Sequence, residues 1–228
     1  MVTTQDADFY SSLGSNYETA FGHDSGLVNF VHKILAHLPP RASVLDIGCG
    51  TGKPVASTLA EAGCSVTGID ISGVMVELSR KAVPDGKFEV ADMLQYEPPE
   101  GTQFDAVLSL LSLFALERKD IEKMAKNWSR WVPAGGILSV GSVAAEDCKP
   151  MVQDHHYDKD GLCARGIPFR FMGNDITLDL FTRIGWETIL SQNGFEIIDT
   201  ATDLFTPPRE SQCDEEMHYF ILARKIAA

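Results

Sequence analysis

Three carboxylates, one just before a glycine turn and two at the ends of short strand-like runs, are placed to grip a nucleoside-like ligand. Asp46 sits inside VLDIGCGTG, Val44 to Gly52. Val44, Leu45 and Ile47 suit an interior strand, and Gly48, Gly50 and Gly52 let the chain bend sharply and bring a ligand against backbone. Asp70 ends CSVTGIDIS, Cys64 to Ser72, about twenty residues past the glycine turn, where an acidic side chain accepts both hydroxyls of a ribose. Asp92 follows the strand-like start of KFEVADMLQY, Lys87 to Tyr96, with Met93 and Leu94 beside it. A dinucleotide-binding turn needs its third glycine at position 53 and sets a pyrophosphate on the helix that follows. Lys53 stands there, so a phosphate cradle is the poorer match.

Gly-x-Gly-x-Gly two residues after Asp46 resembles the first motif of the class I S-adenosylmethionine (SAM)-dependent methyltransferases. Later segments agree in order: the strands ending at Asp70 and Asp92, FDAVLSLLSLFAL (Phe104 to Leu116), and WVPAGGILSVGSV (Trp131 to Val143) with its proline-glycine-glycine turn. The resemblance implies SAM as cofactor. SAM has no phosphate and a zwitterionic amino-acid end, which suits Asp46 and the exposed backbone of Gly48, Cys49 and Gly50. It further implies Asp70 and Ile71 at the ribose, Asp92 and Met93 at the adenine, Met75 nearby, and Ser109 at the end of the fourth strand facing the same crevice. Asp8 to Gly26 is similar to the N-terminal lid of ubiquinone-biosynthesis-type small-molecule methyltransferases, which places Tyr17 at the SAM carboxylate. Tyr10 and Phe21 read equally well as aromatic staples holding a helix to the core.

Methyl transfer needs mainly alignment of nucleophile, methyl carbon and sulfur, so a base serves only acceptors that hold a proton. His155 and His156 are the candidate general bases, because a histidine near neutral pKa takes protons readily. The competing view makes both surface-loop residues. His218, behind Glu215 and Glu216, is a further candidate base or a strand residue with a backbone partner. Asp154, Asp158 and Asp160 suggest a metal, but counting a calcium loop from His156 puts Ile167 where the twelfth ligand should be glutamate. No metal is expected. Phe114, Phe169, Phe171, Trp186 and Phe205 suggest an organic, partly aromatic or terpenoid-like acceptor, or ordinary core.

The elements that must position these groups alternate along the chain: strands at 43–47, 65–70, 87–91, 104–109 and 136–141, helices at 26–38, 53–62, 72–81 and 118–131. That alternation predicts an α/β, doubly wound, Rossmann-like parallel sheet. TLDLFTRIGWETILSQNGF, Thr177 to Phe195, reads as helical, followed by strands at 195–203 and 217–224. By the resemblance, seven strands are expected, the last an antiparallel edge. A single domain spans 1–228, with 1–38 as N-terminal lid and cover and 142–178 as a substrate-lid insertion.

At 228 residues and 44% hydrophobic, the chain buries a full core. Its formal charge of −13 disfavours nucleic acid as partner. No apolar run approaches the ~18 residues of a membrane span and no secretory signal opens the chain, so a cytoplasmic location is expected. The five scattered cysteines form neither a disulfide framework nor a zinc site. The expected function is transfer of a methyl group from SAM to a small organic metabolite, leaving S-adenosylhomocysteine (SAH). The same motifs would serve a non-methylating isomerase or cyclase that keeps SAM for structure or electrostatics, or a regulator set by SAM occupancy. Oligomeric state is open.

Overall fold

The computed structural model describes residues 4–148 and 151–227. Residues 1–3 of the expected N-terminal cover and 149–150 of the expected insertion lie outside the described residues. Strands form where β-branched and apolar residues run together: β1 (Ser43–Ile47), β2 (Ser65–Asp70), β3 (Lys87–Val90), β4 (Ala106–Leu110), β5 (Ile137–Val143), β6 (Cys163–Phe171), β7 (Asn174–Phe181), β8 (Phe195–Phe205) and β9 (Glu216–Lys225). β4 and β5 are buried at every position, as strands covered on both faces must be. The helices are α1 (Thr4–Leu13), α2 (Ser15–Phe21), α3 (Ser25–Leu35), α4 (Val55–Glu61), α5 (Gly73–Ala82), α6 (Arg118–Trp131) and α7 (Arg183–Gln192).

Seven strands make one sheet in the order β3-β2-β1-β4-β5-β9-β8. β3, β2, β1, β4 and β5 run parallel, whereas β9 is antiparallel to both β5 and β8. The antiparallel finish is therefore a strand pair, with β8 outermost. Strand order reverses between β1 and β4, and the crevice beyond the carboxyl ends of strands at such a point is where open α/β sheets bind ligands.

Helices cover both faces. On one, Trp128 and Trp131 of α6 and Trp186 of α7 are buried against Leu45, Ile47 and Leu138. On the other, Phe30, Val31 and Ile34 of α3 pack with Ala56 and Leu59 of α4 over Val44 and Leu108. Burying one such large side chain contributes roughly 1.5–3 kcal/mol. Asp24 caps α3 by accepting the Leu27 N–H at 2.9 Å, and Ser72 caps α5.

One expected element differs. Thr177–Phe181 is strand rather than helix, because Leu178 and Leu180 are buried while Thr177 and Asp179 alternate to the other face. Thr182 then caps α7 through the Gly185 N–H. The 142–178 region contributes β6, which pairs with β7 as a separate antiparallel ribbon. Arg118 ties the turn before this ribbon to α6, its guanidinium bonded to Glu122, Asp158 and Asp160 at 2.7–2.9 Å. Asp158 and Asp160, which suggested a metal, are thus engaged by Arg118, and Asp158 also by Arg165. No helix among the described residues is long and apolar enough to cross a membrane.

Candidate functional site

The turn after β1 is shaped by contacts that admit no side chain. Gly48 has φ +71°, and a Cβ there would sit 2.4 Å from the Cβ of Ser112. The N–H groups of Gly48 and Cys49 both donate to Ile69 O at the end of β2, at 2.8 and 2.9 Å. Asp70 closes the arrangement: its Oδ2 accepts the Gly50 N–H at 3.0 Å and its Oδ1 the Ser72 N–H at 2.9 Å. Ser79 Oγ donates to Gly50 O from α5. The same carboxylate that faces the crevice therefore fixes the glycine turn across it.

Beyond the strand ends opens a cavity that reaches the surface. Tyr17, Asp46, Gly48, Cys49, Gly50, Asp70, Ile71, Met75, Asp92 and Met93, singled out from widely separated stretches of sequence, all line it. Its other wall is apolar: Phe114 after β4, Phe169 and Phe171 of β6, Ile176 and Leu178 of β7. Phe21 stacks on Tyr17, Phe171 and Phe205 at centroid distances of 5.1, 5.4 and 5.5 Å, tying α2 to the ribbon over the mouth. Trp186 belongs to the core, and Phe205 supports the stack from behind.

Asp46 is 3% exposed, and among the described residues its Oδ2 has no hydrogen-bond partner. Burial, with the nearby charge of Asp70, pushes its carboxyl up to about 7. A buried oxygen without a partner costs about 1–3 kcal/mol, a cost that a cationic or N–H-bearing ligand in the cavity would relieve. Burial raises Asp70 as well, against the N–H groups of Ser72, Gly50 and Ile71 that pull it down. Burial also holds the Cys49 thiol protonated, so Cys49 is no nucleophile.

Three expected residues do not reach the cavity wall. Ser109 is fully buried, its hydroxyl bonded to that of Ser112 at 2.9 Å. The left-handed backbone of Leu111 (φ +56°) brings Leu110, Leu111 and Ser112 to the wall instead, and Ser112 donates to Ile47 O at 2.8 Å. His155 and His156 lie on a 3₁₀ turn (Asp154–His156) away from the cavity; His155 is exposed, and His156 Nδ1 accepts the Gln153 N–H at 3.0 Å. The His156 imidazole caps this turn, and neither histidine lines the cavity.

The buried histidine of the site is His218, on β9. It is 1% exposed, with Nδ1 at 2.8 Å from Asp24 Oδ2 and Nε2 at 3.0 Å from Glu216 Oε2. Burial opposes its charge, but the two carboxylates outweigh burial and carry it up to about 9. Asp24, Glu216 and His218 all line the cavity. Asp24 was hidden in the sequence behind its capping role, since Asp before an apolar helical stretch already has an explanation.

The comparisons with known proteins agree with this geometry. Residues 44–136 match the methyltransferase-domain family. An O-methyltransferase of Pyrenophora dematioidea is 32% identical over 117 residues, 49% of this chain and 43% of that protein. The dTDP-4-amino-2,3,4,6-tetradeoxy-D-glucose N,N-dimethyltransferase of Saccharopolyspora spinosa is 28% identical over 136 residues, 59% of this chain and 53% of that one. The matched stretches thus span about half the length of these curated relatives. Among solved structures, the 1,6-didemethyltoxoflavin-N1-methyltransferase of Burkholderia thailandensis, with 1,6-didemethyltoxoflavin and SAH bound, superposes with a TM-score of 0.68 at 15% identity, covering 100% of this chain and 92% of that one. Residues 44–136 match the methyltransferase-domain family, and the chain has the fold of solved S-adenosylmethionine-dependent methyltransferases.

Proposed function

We propose that this protein binds SAM over the glycine turn and transfers its methyl group to a small organic acceptor held against the apolar wall. One observation carries the reading: the glycine turn, the partnerless oxygen of Asp46, Asp70 and Asp92 converge on one cavity whose opposite wall is largely apolar. Asp46 meets the cationic amino end of the cofactor, Asp70 takes the ribose hydroxyls, and Asp92 with Met93 borders the adenine. Tyr17, on the lid helix α2, faces the carboxylate end; burial, then Tyr10 and the charges of Glu216, Asp70 and Asp24, keeps its hydroxyl protonated and able to donate.

When bound, the cofactor supplies an electrophilic methyl group on a sulfonium sulfur. The chain's own part is to hold both ligands in line and exclude water. Effective molarities of about 10⁵ M or more make such alignment a sufficient source of rate. The β6–β7 ribbon and α2, joined by the Phe21–Phe171 stack, form the cover, so 1–38 and 142–178 act as lid segments of one domain. A cytoplasmic site of action follows from the small-metabolite acceptor and from SAM as an intracellular methyl donor.

Isothermal titration of SAM and SAH, followed by methyl-label transfer into a pooled metabolite extract, tests the proposal. Binding with label transfer is the expected result. Absence of SAM binding would remove the cofactor assignment, and binding without transfer to any extract component would move the protein to a non-methylating role.

A further inference from the structure

The Asp24–His218–Glu216 cluster is the most polar feature of the cavity's far side. β9 lies three strands from β1, across β4 and β5, which at the usual strand spacing is roughly 14 Å. Val143 at the end of β5 pairs with His218, so the cluster sits at the same carboxyl-end level as the glycine turn. Around it the wall is hydrocarbon and aromatic: Phe21, Leu27, Leu111, Phe114 and Phe171.

Both ring nitrogens of His218 face carboxylate oxygens, and an imidazole donates at both positions only as the imidazolium. Two carboxylates around one imidazolium leave one negative charge in excess. The free oxygens are unequal. Asp24 Oδ1 is spent on the Leu27 N–H, whereas Glu216 Oε1 has no hydrogen-bond partner among the described residues although Glu216 is 7% exposed and lines the cavity. Lys53 is the sole lysine or arginine on the described cavity wall; it belongs to the glycine turn and is paired with Glu18 at 3.1 Å. Glu216 thus holds His218 through Oε2 and presents Oε1 to the cavity.

We propose that Glu216, fixed by His218 and Asp24, receives the protonated amine of an otherwise apolar, aromatic-sized acceptor. The inference rests on the methyltransferase reading and names its substrate class. An ammonium supplies the missing charge and donates to Oε1, and the surrounding rings take the rest of the molecule. An ammonium has no lone pair, so it must lose a proton before it can react. Glu216 Oε1 is the adjacent acceptor: the proton passes from nitrogen to the carboxylate, leaving a neutral amine and a neutral carboxylic acid. His218 and Asp24 are positioning residues, keeping the Glu216 carboxylate turned toward the cavity.

The test uses the full chain saturated with SAH and three probes of one size: phenethylamine, 2-phenylethanol and 3-phenylpropionate, titrated calorimetrically at pH 7. The expected order is amine tightest by tenfold or more over the alcohol, with the acid weakest. Glu216→Gln should bring the amine down to the level of the alcohol while SAH affinity stays within about twofold, and Glu216→Asp, which keeps the charge, should retain part of the preference. SAH binding with equal affinities for the three probes, with the acid tightest, with no probe bound, or with an undiminished amine preference in Glu216→Gln overturns this inference alone. Failure of SAH itself to bind removes the cofactor reading and the inference with it.

Discussion

Asp46 gives the account a quantitative handle, because its carboxyl is held near 7 in the ligand-free protein by burial and by Asp70. A cationic group set against its partnerless Oδ2 favours the ionised form, so SAM binding should draw its pKa back toward the ordinary value of about 3.9. The sign follows directly: below pH 7 the free protein carries the proton, the complex does not, and binding releases it. Affinity for SAM should therefore rise with pH. Between pH 7.0 and pH 5.5, the latter about 1.5 units below the free-state value, the expected loss of affinity is about 16-fold, or roughly 1.6 kcal/mol. The α-amino group of SAM titrates near 7.7–8.0, so it stays protonated between pH 5.5 and 7.0 and does not confound that window. Titration calorimetry in two buffers of different ionisation enthalpy measures both affinity and proton release. Close to one proton should be released at pH 5.5, and Asp46→Asn should flatten the dependence. PH-independent affinity with no proton release, or affinity that falls with rising pH, would refute the reasoning.

His218, held up to about 9 against an ordinary value near 6.5, stabilises the fold fully below pH 6.5 and loses that contribution as pH rises through 9. His218→Gln should accordingly be destabilised most at pH 6, and the gap to wild type in urea melts should narrow by about 3 kcal/mol by pH 10; a pH-independent gap would contradict the buried ion cluster. Gly48→Ala combines φ +71° with a Cβ 2.4 Å from that of Ser112, so a loss of at least about 2 kcal/mol, read as a melting point lower by roughly 4–8 °C, should accompany lost SAM affinity. His155→Ala and His156→Ala should each keep turnover within about twofold, since neither ring faces the cavity; a hundredfold loss in either would restore it as the base.

The parts of the site that were legible in sequence are those built from local pattern. Val44–Ile47 into a glycine turn, and Asp70 or Asp92 just past a strand, are read from neighbouring residues, and the parallel sheet then brings them together. What escaped depends on distant contacts. TLDLF carries both an alternating and a helical reading, and it is the partnership with β6 that selects the strand. Ser109 and Ser112 are equivalent in composition, but the left-handed turn at Leu111 gives the wall to Ser112. His155 and His156 drew notice as adjacent histidines in a polar loop, whereas the histidine set into the cavity is buried by residues 194 positions away and two positions away, Asp24 and Glu216. Glu216 beside His218 is visible in the sequence, whereas its other partner, Asp24, is brought to it only by the fold.

The central claim, that the convergent carboxylates hold SAM, is tested most directly by titrating SAM into wild type and Asp70→Ala side by side. Asp70 both faces the cavity and accepts the Gly50 N–H at 3.0 Å, so its loss removes a ligand contact and a brace of the turn together. The account requires measurable binding by wild type and none by Asp70→Ala that still melts cooperatively. Equal SAM affinity in the two proteins would contradict it.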